Sequence, residues 1–294
     1  LKNWISACVK LFCQFVGLFP RPWVRKIGGL WGWLWIDLFE IRKKVLMNNL
    51  NIAFPEKSES EKWNIARESV YHMGYNFAEF FLIPSVDEKW LNQHATMEGL
   101  DNVTSALEQK KGVFFLSLHL GNADMALTAM AFHKLPVNLI TKTFKNSFIN
   151  DLWFSIRGYH GVKYIDAHAS NNAFEILKVL RSNEIAIFVL DQFMGKPFGI
   201  LTRFFGVETG TAYGLALFYL KTKSPIVISY TYEGEDQKMH IVFQPALELD
   251  HLVDSNKDES ILRLTQLFND KLEEIVRRYP HQWMWVHRRW KDFE

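Results

Sequence analysis

VFFLSLHLGNAD, residues 113–124, runs from a solid apolar segment through a turn into a helix. The apolar run closes at Ser117-Leu118-His119 and the turn passes through Gly121. Asn122 is placed to cap the following helix, with Asp124 in its first turn. His119 and Asp124 are separated by about 500° of rotation if both lie on one helix, so they would face different ways. A strand-to-helix turn instead sets the imidazole at the carboxyl end of a strand. It is expected to fold the carboxylate back, where the acid would orient the ring and support its charge. The spacing by itself also fits a histidine merely satisfied at a strand end.

On either side of this segment, strand-like and helix-like stretches alternate. Strands are expected over 113–118, 137–141, 163–165, 185–190, 226–230 and 240–244, and helices near 122–133, 147–159, 171–182, 211–222 and 258–279. Such alternation predicts an α/β fold with a mixed, largely parallel sheet flanked by helices. Upstream, Ser58-Glu59-Ser60-Glu61 opens a helix whose stripe of Ile65, Val70, Met73, Phe77, Phe80 and Phe81 reads as core. Two short helices, near 86–93 and 102–109, lead to the first strand. The expected plan is an N-terminal membrane-associated helical region over 1–95 and an α/β domain over 96–294.

At 294 residues, 48% hydrophobic and 22% charged, the chain can bury a large core, which excludes disorder. Aromatic residues make up 15%, with eleven Trp, which suits extensive apolar surface, including surface at a membrane boundary. The net charge of +2 conceals an asymmetry: residues 1–50 carry eight Lys and Arg against Asp37 and Glu40. A basic, Trp-rich N-terminus predicts attraction to anionic lipid, and no nucleic-acid-binding motif accompanies it. Residues 4–19 are apolar but short against the ~20 residues that span a bilayer, so they suit a tilted anchor or an interfacial helix. Residues 23–51 read as a second helix at the interface, although periodicity equally allows a helix covering the main sheet. Cys8 and Cys13 form neither a disulfide framework nor a metal-ligand spacing.

Three further polar stretches accompany His119. Lys142, Lys145 and Arg157 follow the second strand and could bind phosphate, or simply form a solvated face. Asp191 and Gln192 follow the apolar strand IAIFVL, at the same sheet edge as His119. Soon after come Arg203 and Thr209-Gly210-Thr211, the latter expected as a Gly-rich turn whose backbone N–H groups would face an anion or a developing oxyanion. The terminal RYPHQWMWVHRRWK interleaves Trp283, Trp285 and Trp290 with His287, Arg288 and Arg289, a pattern that would grip a phosphorylated headgroup beside an apolar surface. No G-x-S-x-G, P-loop, G-x-G-x-x-G or HExxH is present, which removes the usual support for acyl-enzyme hydrolases, NTPases, dinucleotide enzymes and zinc hydrolases.

Together, HLGNAD, the Lys-rich loop with Arg157, DQF followed by RFFG and TGT, and the terminal RYPHQWMWVHRRWK resemble the lipid A biosynthesis acyltransferase family (lauroyl- and myristoyl-type), within the lysophospholipid acyltransferase-like superfamily. The resemblance covers nearly the whole chain. It implies an enzyme of the bacterial inner membrane, working at the cytoplasmic face without cofactor or metal. Such an enzyme moves a fatty acyl chain from acyl carrier protein thioester to a hydroxyl of a lipid A precursor, a phosphorylated glucosamine lipid. By the same resemblance His119 is the catalytic base and Asp124 its acidic partner, with no acyl-enzyme formed. Lys142, Lys145, Arg157, Asp191, Gln192, Arg203, Thr211, Arg288 and Arg289 are the candidate substrate-binding residues. The family often has Trp-Glu where this chain has Ala123-Asp124, and a second acid where Phe193 stands. An acceptor such as a lysophospholipid or a glycosylated phosphoinositide, or a non-catalytic lipid- or carrier-binding protein, are the alternatives.

Overall fold

The computed structural model of the protein describes residues 2–294; Leu1 and the side chains of residues 2–6 and 8 lie outside the described residues, and with them the thiol of Cys8. Four helices come first: α1 (Lys2–Val16), α2 (Arg21–Trp33), α3 (Lys43–Ala53) and α4 (Glu59–Phe80). Ser58 caps α4 in a capping box with Glu61, as the sequence pattern predicts. The single helix expected over 23–51 is broken. A π-helical turn, Leu34–Leu38, and left-handed backbone at Glu40 and Arg42 separate α2 from α3. α2 lies close against α4 because both are glycine at the crossing: a Cβ at Gly28 would meet the Gly74 carbonyl oxygen at 2.5 Å. Its opposite face, with Trp23, Ile27, Leu30 and Trp31, is exposed, so α2 does not serve as a buried cover for the main sheet. No helix among the described residues is long and apolar enough to cross a membrane.

α5 (Glu88–His94) leads into β1 (Ala95–Glu98), and α6 (Leu100–Glu108) into β2 (Val113–Ser117). There follow α7 (Ala123–Phe132), β3 (Val137–Thr141), α8 (Ser147–Arg157), β4 (Lys163–Asp166), α9 (Asn172–Arg181) and β5 (Ile185–Val189). The chain closes with β6 (Gly199–Phe204), β7 (Val207–Ala212), α10 (Gly214–Thr222), β8 (Ile226–Glu233), β9 (Met239–Ala246) and α11 (Lys257–Arg278).

Seven strands form one sheet in the order β1-β9-β8-β2-β5-β3-β4, parallel throughout except where β8 meets β9. β2 sits at the centre and is apolar on both faces because both are covered. Alternate side chains serve two cores. Phe114, Leu116, Phe188 and Ile228 pack with Leu264, Phe268 and Leu272 of α11, and Leu46, Leu50 and Ile65 from the N-terminal helices join the same core. Val113, Phe115, Ile187 and Val227 share the other core with Met125, Ala126 and Ala129 of α7. The structure is thus α/β with a mixed, mostly parallel sheet flanked by helices.

β1 and the hairpin β6–β7 lie outside the strands that the sequence pattern predicts. The hairpin turns at Phe205-Gly206, both with positive φ (54° and 73°), the backbone that a two-residue hairpin turn requires. Thr209-Gly210-Thr211 therefore lies inside β7, and α10 begins at Gly214 rather than 211. The expected Gly-rich turn before a helix is corrected accordingly, because those amides belong to a strand ladder.

Candidate active site

Ser117 of β2 and Val189 of β5 are register partners in a parallel pair. Two residues beyond each stands His119 and Asp191, so the sheet itself sets the two side by side. His119 Nδ1 is 2.8 Å from Asp191 Oδ1. The other carboxylate oxygen accepts the His119 backbone N–H at 2.9 Å and the Trp283 indole N–H at 2.7 Å. Asp191 is 2% exposed and the His119 side chain 32% exposed, so the acid is sealed while the base keeps an open side.

The electrostatics follow from this arrangement. Burial works to raise the Asp191 carboxyl, but the charge and hydrogen bonds of His119, with the Trp283 indole, outweigh it and hold the group below the usual carboxylate range. Burial works to lower His119, and the charge and hydrogen bond of Asp191 outweigh it, so the imidazole is raised above its ordinary value. An ionised Asp191 accepts a hydrogen bond from Nδ1–H, which leaves the lone pair of neutral His119 on Nε2.

The expected contact between Asp124 and the His119 ring is not formed. Asn122 caps α7 through the Met125 amide at 3.1 Å, as foreseen, and Asp124 falls in the first turn. Its carboxylate, however, is ion-paired with Nε of Arg157, the last residue of α8. Asp124 faces a neighbouring helix end that carries a cation, whereas the position beneath the imidazole is filled from β5. The Asp124 charge still reaches His119 through space, raising it slightly, while Arg157 opposes it.

The loop carrying His119 is held from several sides. Gly121 has φ +55°, and a Cβ there would meet the Thr231 carbonyl oxygen at 2.5 Å, so only glycine fits. Asn76 of α4 donates to the Gly121 carbonyl at 2.7 Å, and Asn122 donates to Glu79 of α4 at 2.7 Å. Leu120 bridges Trp283, and the Met284 N–H donates to the His119 carbonyl at 3.1 Å.

The C-terminal segment is therefore part of the site's frame rather than a surface grip. Trp283 and Trp285 are buried, and Arg289 is 0% exposed. Arg289 Nη1 donates to the Gly210 carbonyl at 2.6 Å and Nη2 to Thr211 Oγ1 at 2.7 Å, and its guanidinium lies over the Phe204 ring at 5.0 Å. Burial pushes it down to about 10, with Asp191 pulling the other way. The headgroup-binding expectation for Arg289 and for fully buried Thr211 is corrected: neither reaches a solvent-borne lipid. Replacing Arg289 with Ala should cost about 3 kcal/mol or more of stability by stranding buried acceptors and opening a cavity, read as a fall in melting temperature. An unchanged melting temperature would oppose this.

The remaining candidates are dispersed. Arg203 is exposed on β6 and lines, with Arg263 and Gln266, a groove of about 490 Å³ that includes neither His119 nor Asp191. Lys142 and Lys145 are exposed beyond β3, on the same sheet edge as His119, and Arg288 is exposed beside the C-terminal frame. Gln192, by contrast, stands at the centre, its amide nitrogen 3.2 Å from His119 Nε2 and 3.0 Å from His287 Nε2. In the sequence His287 has only a place in a basic aromatic tail, and nothing in its spacing points to the site. Among the described residues, no group of three or more His, Cys, Asp or Glu side chains could hold a metal ion.

A model of the family described as bacterial lipid A biosynthesis acyltransferase matches residues 1–292. The chain is 25% identical over 312 aligned positions to the lipid A biosynthesis palmitoleoyltransferase of Escherichia coli, covering 95% of each protein. It is 19% identical over 275 positions to the lauroyltransferase of the same organism, covering 92% of this chain and 86% of that one. A lipid A biosynthesis acyltransferase of Haemophilus influenzae is 22% identical over 297 positions, covering 99% and 91%. A family match across nearly all of the chain, over the sheet, the His119 loop and the C-terminal frame alike, places this protein in the bacterial lipid A biosynthesis acyltransferase family.

Proposed function

We propose that the protein transfers a fatty acyl chain from the thioester of acyl carrier protein to a hydroxyl of a lipid A precursor, with His119 as general base and without an acyl-enzyme. The observation that carries this reading is the His119–Asp191 pair, a raised imidazole with a sealed acid behind it and an open side in front. The acceptor O–H gives its proton to Nε2 as its oxygen bonds to the thioester carbon and the carbonyl π pair moves to oxygen. Collapse restores the carbonyl, breaks the C–S bond, and the leaving thiolate takes the proton from Nε2. Asp191 is the orienting acid, while Asp124 acts on the ring through space and fixes Arg157. Lys142, Lys145 and Arg288 are exposed cations suited to acceptor phosphates or to an acidic carrier protein.

The test is to offer fatty acyl chains on acyl carrier protein and on coenzyme A to a phosphorylated glucosamine lipid and to a lysophospholipid, and to weigh the products by mass spectrometry. Acylation of the glucosamine lipid from the carrier protein is expected. Acylation of the lysophospholipid alone would overturn the acceptor, and preference for coenzyme A would overturn the donor.

The same reading places the protein on the cytoplasmic face of the inner membrane, with α1 and α2 lying along the lipid surface. Trp23 and Trp31 of α2 are 61% and 57% exposed, Phe15 and Leu18 are exposed too, and Lys26 reaches over the Trp23 ring. Substituting both tryptophans with Asp should weaken binding to anionic vesicles at least ~10-fold in co-sedimentation. Undiminished binding would sink this placement.

A further inference from the structure

Acyl transfer needs a hydrogen-bond donor for the oxyanion that forms on the thioester carbonyl, and the Gly-rich turn expected to supply one is not a turn. Arg157 Nε is committed to Asp124, and Thr209-Gly210-Thr211 is a strand packed on Arg289. One neutral donor does stand at the His119 ring. The Gln192 amide nitrogen is 3.3 Å from His119 Nδ1 and 3.2 Å from Nε2. A nitrogen equidistant from both ring nitrogens lies over the ring rather than in its plane, because the in-plane position between them is filled by the ring carbon. The lone pair of Nε2 therefore stays open in the plane, and no other hydrogen bond to Nε2 forms among the described residues.

The amide is held in that place by His287. Its nitrogen is 3.0 Å from His287 Nε2, and an amide nitrogen only donates, so His287 Nε2 must be the acceptor and its ring the neutral tautomer protonated on Nδ1. Burial and the nearby His119 lower His287, which keeps that ring neutral. The two rings lie 5.8 Å apart between centroids, and the His287 backbone is anchored through its carbonyl by Asn49 at 2.6 Å. One amide hydrogen is thus spent on His287, and the nitrogen that carries the other is 3.2 Å from His119 Nε2. An attacking hydroxyl must lie within hydrogen-bond reach of Nε2, and the carbonyl it attacks must touch that hydroxyl. A donor 3.2 Å from Nε2 is inside the space where the carbonyl oxygen gains its charge.

We propose that the Gln192 side-chain N–H is the oxyanion donor of this enzyme and that His287 is the positioning residue that aims it. The assignment rests on His119 as general base for attack on a thioester. Gln192 makes its contact when the C–O bond forms and the carbonyl π pair moves to oxygen, and releases it when the C–S bond breaks. It exchanges no proton.

The experiment is steady-state acyl transfer by the full chain for Gln192→Ala, Gln192→Met, His287→Phe, His287→Gln and His119→Ala, each checked for a native melting transition. Gln192→Ala and Gln192→Met, which keeps the length without the N–H, should both lower kcat by ~10²–10³-fold with KM for either substrate within a few-fold. His287→Phe should lower kcat with KM likewise unmoved. His287→Gln, whose Oε1 accepts in place of the imidazole, should restore most of the rate, which a merely structural role for the ring would not produce. A kcat within three-fold of wild type for the Gln192 variants, or a loss wholly in KM, overturns the donor assignment. Failure of His287→Gln to exceed His287→Phe overturns the positioning role. If His119→Ala is inactive while the Gln192 variants are not, the oxyanion assignment alone is wrong. If His119→Ala retains the wild-type rate, the general-base reading fails and takes this assignment with it.

Discussion

Replacement of His119 by Ala is expected to lower the acyl-transfer rate by ~10²–10⁴-fold, the usual worth of a positioned general base. Among the described residues, no neighbouring group is set to substitute. His287 is the nearest imidazole, but it is held as acceptor for Gln192 and is lowered rather than raised. Asp191 is sealed behind the position the ring vacates. The loop should survive the change, because the backbone N–H of residue 119 and the Trp283 indole still donate to Asp191, and Met284 still donates to the carbonyl of residue 119. The measurement is the single-turnover rate at saturating acceptor, beside a thermal melt. A folded variant within a few-fold of wild type would remove His119 from the reaction.

The strands were legible where the run of apolar residues was long enough to need cover on both faces. Residues 113–118, 137–141 and 185–190 coincide with β2, β3 and β5 to within one residue. β6 and β7 were lost because RFFGVETGT mixes polar and apolar positions, as a hairpin with one open face must. The signal was nonetheless present: Ile200, Thr202 and Phe204 alternate up to Phe205-Gly206, and Val207, Thr209 and Thr211 alternate away from it.

The partner of His119 follows from the same apolar strands. The sequence puts Asp191 at the sheet edge beside the histidine. Proximity in sequence favoured Asp124, whereas a parallel sheet matches residues by register. Once β2 and β5 are neighbours, Ser117 with Val189 implies His119 with Asp191. The C-terminal RYPHQWMWVHRRWK departs from its sequence pattern for a different reason. Alternating cations and tryptophans look like an interface, but burial depends on which element is missing beside the loop. Here the segment supplies the strand-like edge against Leu120, taking Trp283 and Arg289 inside and leaving Arg288 outside. That role cannot be read from composition, since it is set by a contact between residues more than one hundred and fifty positions apart.

Substituting Asp191 with Asn is expected to cost ~10³–10⁴-fold in kcat/KM, by removing a charge and by imposing the wrong tautomer. One carboxylate oxygen accepts both the Trp283 indole N–H and the backbone N–H of His119, so the amide oxygen of Asn must stay there to avoid two donor–donor contacts. Its NH₂ then faces His119 Nδ1, which has to present a lone pair, and the ring proton moves to Nε2, where the acceptor hydroxyl needs a base. The pH dependence has a definite sign. Neutral His119 is the active form, so wild-type kcat/KM falls as pH drops through a pKa that Asp191 holds above the ordinary imidazole value of 6.5. Without that charge the acid limb should move to lower pH while the plateau falls. Asp124→Asn should do less to both, since its carboxylate touches Arg157 rather than the ring. A larger loss for Asp124→Asn than for Asp191→Asn, or an acid limb that Asp191→Asn leaves in place, would return the orienting role to Asp124.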